Sequence, residues 1–292
     1  MRLLVLGSNG QLGKCFKDQS INFTHEYIFS DRDLIDLNDM EAAKKKIRDI
    51  KPDLILNFAA YTAVDKAEVE RHKANYLNNI CVKEISSVCE EIGSILFHLS
   101  TDYVFDGLKN IPYKEESKTN PINVYGSTKR LGEIAIQECC SKYLILRTSW
   151  VYSEHGENFL KTMLKIASNN TEIKVVSDQH GCPTYGQDIA VTILNIINQI
   201  ELKKNIWGIF NFTGRDIQTW HQFAINIFNT HQSINKSFKI PKIEEALSKD
   251  FDFKASRPLY SVLDNDKISK TWGINHKNLK ESLLNALKKI NT

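Results

Sequence analysis

"RLLVLGSNGQLG", residues 2–13, is an apolar run that stops at Gly7 and is followed by two more glycines at three-residue intervals, Gly10 and Gly13. A short continuous apolar run ending in glycine reads as a strand covered on both faces, here leading into a helix that begins near Gln11. The G-x-x-G-x-x-G spacing gives each glycine a task. Gly7 turns the chain off the strand, Gly10 lets backbone approach a pyrophosphate, and Gly13 permits close contact between helix and sheet. The helix then aims its unpaired N–H groups and positive dipole end at the anion. Eighteen residues beyond Gly13, Asp31 ends the next strand-like run, where a carboxylate accepts hydrogen bonds from an adenosine ribose. The guanidinium of Arg32 beside it suits a 2′-phosphate, so NADPH and NADH both remain open as cofactors.

The rest of the chain repeats that beginning. "YIFSD" at 27–31, "DLILNFA" at 53–59, "SILFHLS" at 94–100 and "YLILRTS" at 143–149 are further strand candidates. "DMEAAKKKIRDI", the stretch from Val64 to Ile92 and "GSTKRLGEIAIQECC" carry apolar residues at helical spacing between them. Such alternation predicts an α/β fold of Rossmann type, a doubly wound parallel sheet with right-handed crossovers. After residue 150 the rhythm loosens into a smaller, partly discontinuous α/β lobe. Strands are expected near 173–178 and 209–214, with helices near 187–200 and 219–231. We expect residues 1–150, with those two strands, to form the dinucleotide-binding domain, and 151–292 mainly the substrate lobe.

Composition excludes several classes. At 292 residues, with 42% hydrophobic and 25% charged residues, the chain can bury a sizeable core. No apolar stretch of about 18 residues is present to span a bilayer, and the opening run is too short for a secretory signal. A soluble, cytoplasmic protein is expected. The net charge of +3 is spread without a basic stripe, which argues against nucleic acid, and Lys44–Lys46 and Lys288–Lys289 read as solvated helix faces. The six cysteines are scattered, two of them adjacent, and read as reduced thiols. Neither they nor the eight histidines show metal-ligand spacing, so no metal is predicted.

Two stretches carry chemistry. "VYGSTK" places Tyr125 and Lys129 four residues apart on one helix face. A tyrosine with an ordinary pKa of about 10 becomes a usable proton donor when a nearby cation lowers that value. "HLSTDYVFDG", residues 98–107, starts in a strand and ends in a turn, which puts Ser100 and Thr101 at the sheet edge where doubly wound folds bind ligands. The polar stretch that follows, to Pro121, is long enough for a functional loop.

Taken together, these motifs resemble the extended short-chain dehydrogenase/reductase superfamily. "NFAAYTAVDKAE" at 57–68, "STDYVFDG", "NVYGSTK", "LRTSWVY" at 146–152 and "DQHGCPT" at 178–184 are similar, within it, to the dTDP-4-dehydrorhamnose reductases. The resemblance runs to the "SRP" at 256–258 and weakens in 230–250 and the tail. It implies reduction of the C4 ketone of a dTDP-sugar in deoxysugar synthesis for cell-surface polysaccharide, by a monomer or homodimer. It implies a catalytic triad of Thr101, Tyr125 and Lys129, the last two also touching the cofactor. Besides the glycines, it carries cofactor contacts to Ser8, Asn9, Gln11, Leu12, Asp31, Arg32, Ala59, Ala60, Tyr61 and Asn78. Substrate contacts fall on Val104, Trp150, Gln179 and Arg257. Residue type alone leaves Trp150 open to a core role and Arg257 to a surface one. Asp65 and Lys66 fit charges at a helix start, and Cys182 fits packing. The glutamates that bind magnesium in some members have no convincing counterparts here. A regulatory subunit like the beta subunit of methionine adenosyltransferase, and an epimerase or dehydratase, are the alternatives that share the scaffold.

Overall fold

The computed structural model describes residues 1–200, 202–203 and 206–290. Its centre is a parallel sheet of β1 Arg2–Leu6, β2 Glu26–Ser30, β3 Leu54–Asn57, β4 Ile95–Thr101, β5 Tyr143–Thr148 and β6 Gly208–Asn211. The spatial order is β6-β5-β4-β3-β1-β2. The chain winds one way from β1 to β2, then crosses back to β3 and continues outward. The reversal between β1 and β3 opens a crevice at the carboxyl ends of the strands.

Period-two alternation inside the apolar runs explains why both faces are covered. Leu3, Val5, Leu54, Leu56, Phe97, Leu144 and Leu146 share one core with helices Gln11–Ser20, Gly186–Ile200 and Asp266–Trp272. Leu4, Leu6, Ile55, Leu96 and Ile145 face the other way, against helices Met40–Ile50, Cys81–Ile92 and Val124–Cys139. Each such leucine or isoleucine removed from water contributes roughly 1.5–3 kcal/mol, so the sheet's inner rows dominate its stability.

Two expectations change. The strand near 173–178 forms as Glu172–Val176, but it pairs in parallel with Lys242–Ala246 in a separate two-stranded sheet. Its partner lies in the 230–250 stretch, whose irregular composition concealed a strand; the segment near 209–214 does join the central sheet as β6. The helical stretch from Val64 to Ile92 is broken into Val64–Ala67, Arg71–Asn75, a wide π turn at Tyr76–Ile80 and Cys81–Ile92. A further core gathers Leu160, Ile173, Val175, Phe223, Ile227, Phe228, Leu283 and Leu287 from elements after residue 150. The chain then returns to the first half. Ala255 N donates to Asp65 Oδ1 (3.1 Å), and Tyr113 N to the Val262 carbonyl (2.8 Å). All six cysteines are free thiols. Among the described residues, no helix is long and apolar enough to cross a membrane.

Candidate active site

The glycine loop divides its labour between fold and ligand. Gly7 has φ +74°, and a Cβ there would lie 2.6 Å from the Ala59 nitrogen; a Cβ on Gly13 would lie 2.6 Å from Ser8 backbone. Neither site admits a side chain. A Cβ on Gly10 would meet only the Gly7 carbonyl oxygen, at 3.2 Å, a tight contact but far less severe than those at Gly7 and Gly13. Gly10 also precedes the helix Gln11–Ser20 without a side-chain cap, leaving the helix N-terminus to a ligand. Beside it opens a cavity of about 600 Å³ lined by Gly7, Asn9, Gly10, Asp31, Arg32, Ala59 and Ala60 among others. A bare glycine face, an uncapped helix start and a roomy cleft fit a dinucleotide phosphate.

Other expected cofactor residues shape this loop from behind. Ser8 Oγ donates to the Ser30 carbonyl (2.8 Å), and Gln11 Nε2 to that of Val151 (3.2 Å). Leu12 packs into the sheet core. Asn78 is fully buried; it accepts the Tyr61 N–H (2.8 Å) and donates to the Tyr61 carbonyl (3.0 Å), holding the chain after β3 in place. Asp31 Oδ1 accepts the N–H groups of Asp33 and Leu34, at 3.1 and 3.2 Å.

The catalytic candidates meet at the end of β4. Helix Val124–Cys139 starts at Asn123, whose Oδ1 accepts the Gly126 N–H (2.7 Å) and whose Nδ2 donates to the Ser256 carbonyl (2.8 Å). A side chain at Gly126 would overlap the Tyr103 carbonyl, so glycine seats this helix against β4's exit. Thr101 Oγ1 accepts the Tyr103 N–H (3.2 Å) and donates to Asp102 Oδ1 (3.0 Å). The Tyr125 ring packs edge-on against Tyr103, centroids 5.7 Å apart. Lys129, only 2% exposed, donates to the Leu99 carbonyl (2.6 Å), and its Nζ lies 3.1 Å from His98 Nε2.

The expected electrostatics are reversed at Tyr125. Burial pushes its pKa up to about 12, Thr101 pulling back and the Asp102 charge adding to the rise. Burial takes Lys129 down to about 8, against an opposing pull from Glu133. Asp102, buried beside Thr101, is pushed up to about 6 by desolvation despite bonds from Ser261 and Thr101. Its second oxygen has no protein partner.

Of the expected substrate residues, Trp150 follows β5 with φ +47°, a left-handed conformation that a bulky residue adopts only under constraint. Its indole stacks on Trp220, centroids 3.5 Å apart and planes 6° off parallel. Gln179 Oε1 accepts the Trp220 indole N–H (3.0 Å), so buried Gln179 orients the stack. Arg257 Nη2 donates to Asp65 Oδ2 (2.7 Å), and its guanidinium lies 3.8 Å above the Phe253 ring. Its Nη1 is buried without a protein partner. Asp65 thus pairs across the fold rather than along its own helix. The Val104 side chain is fully buried with Phe105, Tyr113 and Leu263. Cys182 is packed, its thiol pushed up to about 12 by burial.

Sequence reasoning missed Asn57, His98, Asp102 and Trp220. Asn57 and His98 interrupt apolar strands with polar side chains, a readable signal, and they face each other in the register of β3 with β4. Trp220 gave no signal apart from its helix.

The family described as the RmlD substrate binding domain matches residues 1–292. A curated dTDP-4-dehydrorhamnose reductase from Sinorhizobium fredii is 40% identical over 97% of this chain and 95% of its own length. A crystal structure of the Clostridium acetobutylicum dTDP-4-dehydrorhamnose reductase superposes with a TM-score of 0.93 at 34% identity, covering 100% of both chains. The Bacillus anthracis dTDP-4-dehydrorhamnose reductase, solved in complex with NADP, gives 0.91 at 31% identity over 99% of each chain. With a full-length family match and such identities, the chain belongs to the dTDP-4-dehydrorhamnose reductase family.

Proposed function

We propose that this chain reduces the C4 ketone of dTDP-4-dehydro-L-rhamnose to dTDP-L-rhamnose, using NADPH or NADH. The observation that carries the reading is the placement of Thr101 at the end of β4 with Tyr125 and buried Lys129 on the helix Val124–Cys139, the Tyr125 phenol kept protonated by burial. A dinucleotide, when bound, supplies the hydride. The backbone of Gly7 and Gly10 and the helix start beside them would hold its pyrophosphate, and Asp31 and Arg32, on the same cavity wall, would serve its adenosine ribose. Tyr125 gives its proton to the C4 oxygen as negative charge develops there. The Thr101 hydroxyl, turned from Asp102 Oδ1 to donate to the same oxygen, orients it. On the sugar-nucleotide side, the unpartnered Nη1 of Arg257 suits a diphosphate oxygen, and the Trp150–Trp220 stack, fixed by Gln179, forms a flat wall.

A phenol that keeps its proton at neutral pH starts in the form that reduction of a ketone requires. The test is absorbance at 340 nm with purified protein, either dinucleotide and the keto-sugar made in place by a dehydratase and an epimerase. Oxidation that requires the keto-sugar supports the reading and ranks NADPH against NADH. Dinucleotide binding without oxidation would favour a regulatory subunit, and interconversion of sugars without net oxidation an epimerase.

A further inference from the structure

The Trp150 indole is held from both sides. Trp150 stands two residues beyond Thr148, which pairs with Thr101 in the register of β4 and β5, so it leaves the sheet at the edge that carries the catalytic candidates. On one face lies Trp220, its ring centroid 3.5 Å away, a carbon contact distance at which two nearly parallel rings overlie each other. Gly181 lies on the other. A Cβ added there would stand 2.6 Å from Trp150 Nε1, 2.8 Å from Cζ2 and nearer still to Cε2, the atom bonded to both. An approach in the ring plane, between Nε1 and Cζ2, would reach those two first, so Gly181 covers the ring face, and Trp220 leaves it only the opposite one. The Gly181 backbone does not adopt a positive φ, so its conformation admits other residues. What excludes a side chain there is Trp150.

One ribbon carries both jaws. The short strands His180–Gly181 and Gln218–Thr219 pair antiparallel, Gly181 opposite Gln218, and Trp220 follows as the first residue of the helix Trp220–Ile234. Thr219 caps that helix: its Oγ1 accepts the Gln222 N–H (3.1 Å), and Gln222 Oε1 accepts the Thr219 N–H (2.9 Å). Gln179, which accepts the Trp220 indole N–H, itself donates to Ser248 Oγ (2.8 Å), and the Phe159 ring packs on Trp220 with centroids 4.6 Å apart. The segment bearing Trp150 is laced to the same ribbon, Ser149 Oγ donating to the Cys182 carbonyl (3.0 Å) and the Thr184 N–H to the Trp150 carbonyl (3.2 Å). We propose that Gly181 and Trp220 are positioning residues for the sugar nucleotide, a clamp that sets the edge of the Trp150 indole before the substrate arrives. With both faces covered, Trp150 offers a ligand only its rim. The surrounding contacts over-determine the left-handed φ of +47° at Trp150, as such a conformation in a bulky residue requires.

The role rests on the reductase reading, in which Trp150 stands on the sugar-nucleotide side, but the clamp itself is measured without substrate. The chain has four tryptophans, so ¹H–¹⁵N correlation spectra show four indole N–H signals, and Trp150→Phe and Trp220→Phe identify two of them. Each of these rings lies over the other, so ring currents shift both signals upfield, and Gly181→Ala should move the Trp150 signal toward that of an exposed indole. The same variant should lower kcat/KM for the keto-sugar nucleotide about 10²-fold, the cost of a misplaced positioning group, and weaken dTDP-L-rhamnose in calorimetric titration while dinucleotide affinity stays native. Trp220→Leu, which removes one jaw, should match it, and Trp220→Phe, which keeps a flat ring, should restore most of the loss. A native Trp150 signal in Gly181→Ala, or a displaced signal with native kcat/KM and native dTDP-L-rhamnose affinity, overturns the proposal. Should Gly181→Ala not fold, the two Trp220 variants decide. If the native chain neither binds dTDP-L-rhamnose nor oxidises a dinucleotide with the keto-sugar, the reductase reading falls and the role with it. If it does both and the variants equal it, the positioning role alone falls.

Discussion

Tyr125 and Asp102 share one corner, and burial acts on both with opposite consequences for the protein. For Tyr125, burial preserves the proton that the proposed reduction would spend. Tyr125→Phe should lower kcat about 10²–10⁴-fold, the usual contribution of a general acid, while a fluorescence titration finds dinucleotide affinity unchanged. Near-native kcat would remove Tyr125 from the acid role. For Asp102, the same burial is a cost. Its pKa is about 6 in the folded protein against about 3.9 unfolded, so between those values the folded state binds more protons. Stability therefore falls as pH rises through that window, and the penalty is complete above about pH 6. Asp102→Asn should be more stable than the native chain by about 1–3 kcal/mol at pH 7.5, an advantage that shrinks toward pH 4.5 in urea unfolding. An equal difference at both pH values would contradict it. Tyr125 and Lys129 were legible in the sequence because a four-residue helical spacing is local. Asp102 was not, since its environment is made by Thr101 next to it and by Ser261, brought from the far end of the chain.

At the scale of an element, the strand–glycine–helix unit shows how one motif serves two ends. Gly13→Ala places a methyl group against Ser8 backbone, so the helix Gln11–Ser20 must shift, at about 1–3 kcal/mol of stability. Gly10→Val meets no backbone closer than the Gly7 carbonyl at 3.2 Å and should cost only about 1 kcal/mol, as a poor helix-capping residue. Yet its side chain stands where a pyrophosphate must approach, so Gly10→Val should abolish dinucleotide binding while thermal melting stays close to native. Native affinity in calorimetric titration would refute this use of the loop. These elements were readable because an apolar run, a glycine and a helical period are neighbours in sequence. Glu172–Val176 was also readable as a strand, but not its sheet, because the partner Lys242–Ala246 has only two apolar residues, Ile243 and Ala246, among charges. Pairing over such a distance is decided by the packing of the Phe223 and Ile173 core, which no local pattern announces.

Across the whole molecule, buried polar ties hold the catalytic helix to the sheet, and the strongest is an ion pair. Arg147, on β5 and 1% exposed, donates to Glu133 from Nε (2.8 Å) and Nη2 (2.7 Å), and to the Glu115 carbonyl from Nη1 (3.1 Å). Glu115 Oε1 in turn accepts the Asn211 N–H on β6 (2.9 Å). One network thus joins two strands, the helix carrying Tyr125 and Lys129, and the polar loop after β4. The length of that loop suggested a function, and Glu115 and Tyr113 anchor it to the core, its polar groups finding partners on strands distant in sequence. Breaking the pair differs from replacing it. Arg147→Met leaves Glu133 buried with Arg130 alone and should destabilise the chain by about 3 kcal/mol, the lower end for an orphaned buried charge. Combining it with Glu133→Leu removes the uncompensated carboxylate and should recover most of the loss, since apolar replacements of buried pairs are often neutral. Urea unfolding of the two single variants and the double variant completes a mutant cycle. If the double variant loses the sum of the single losses, the pair acts as two independent packing groups; recovery identifies the desolvated charge as what the network exists to neutralise.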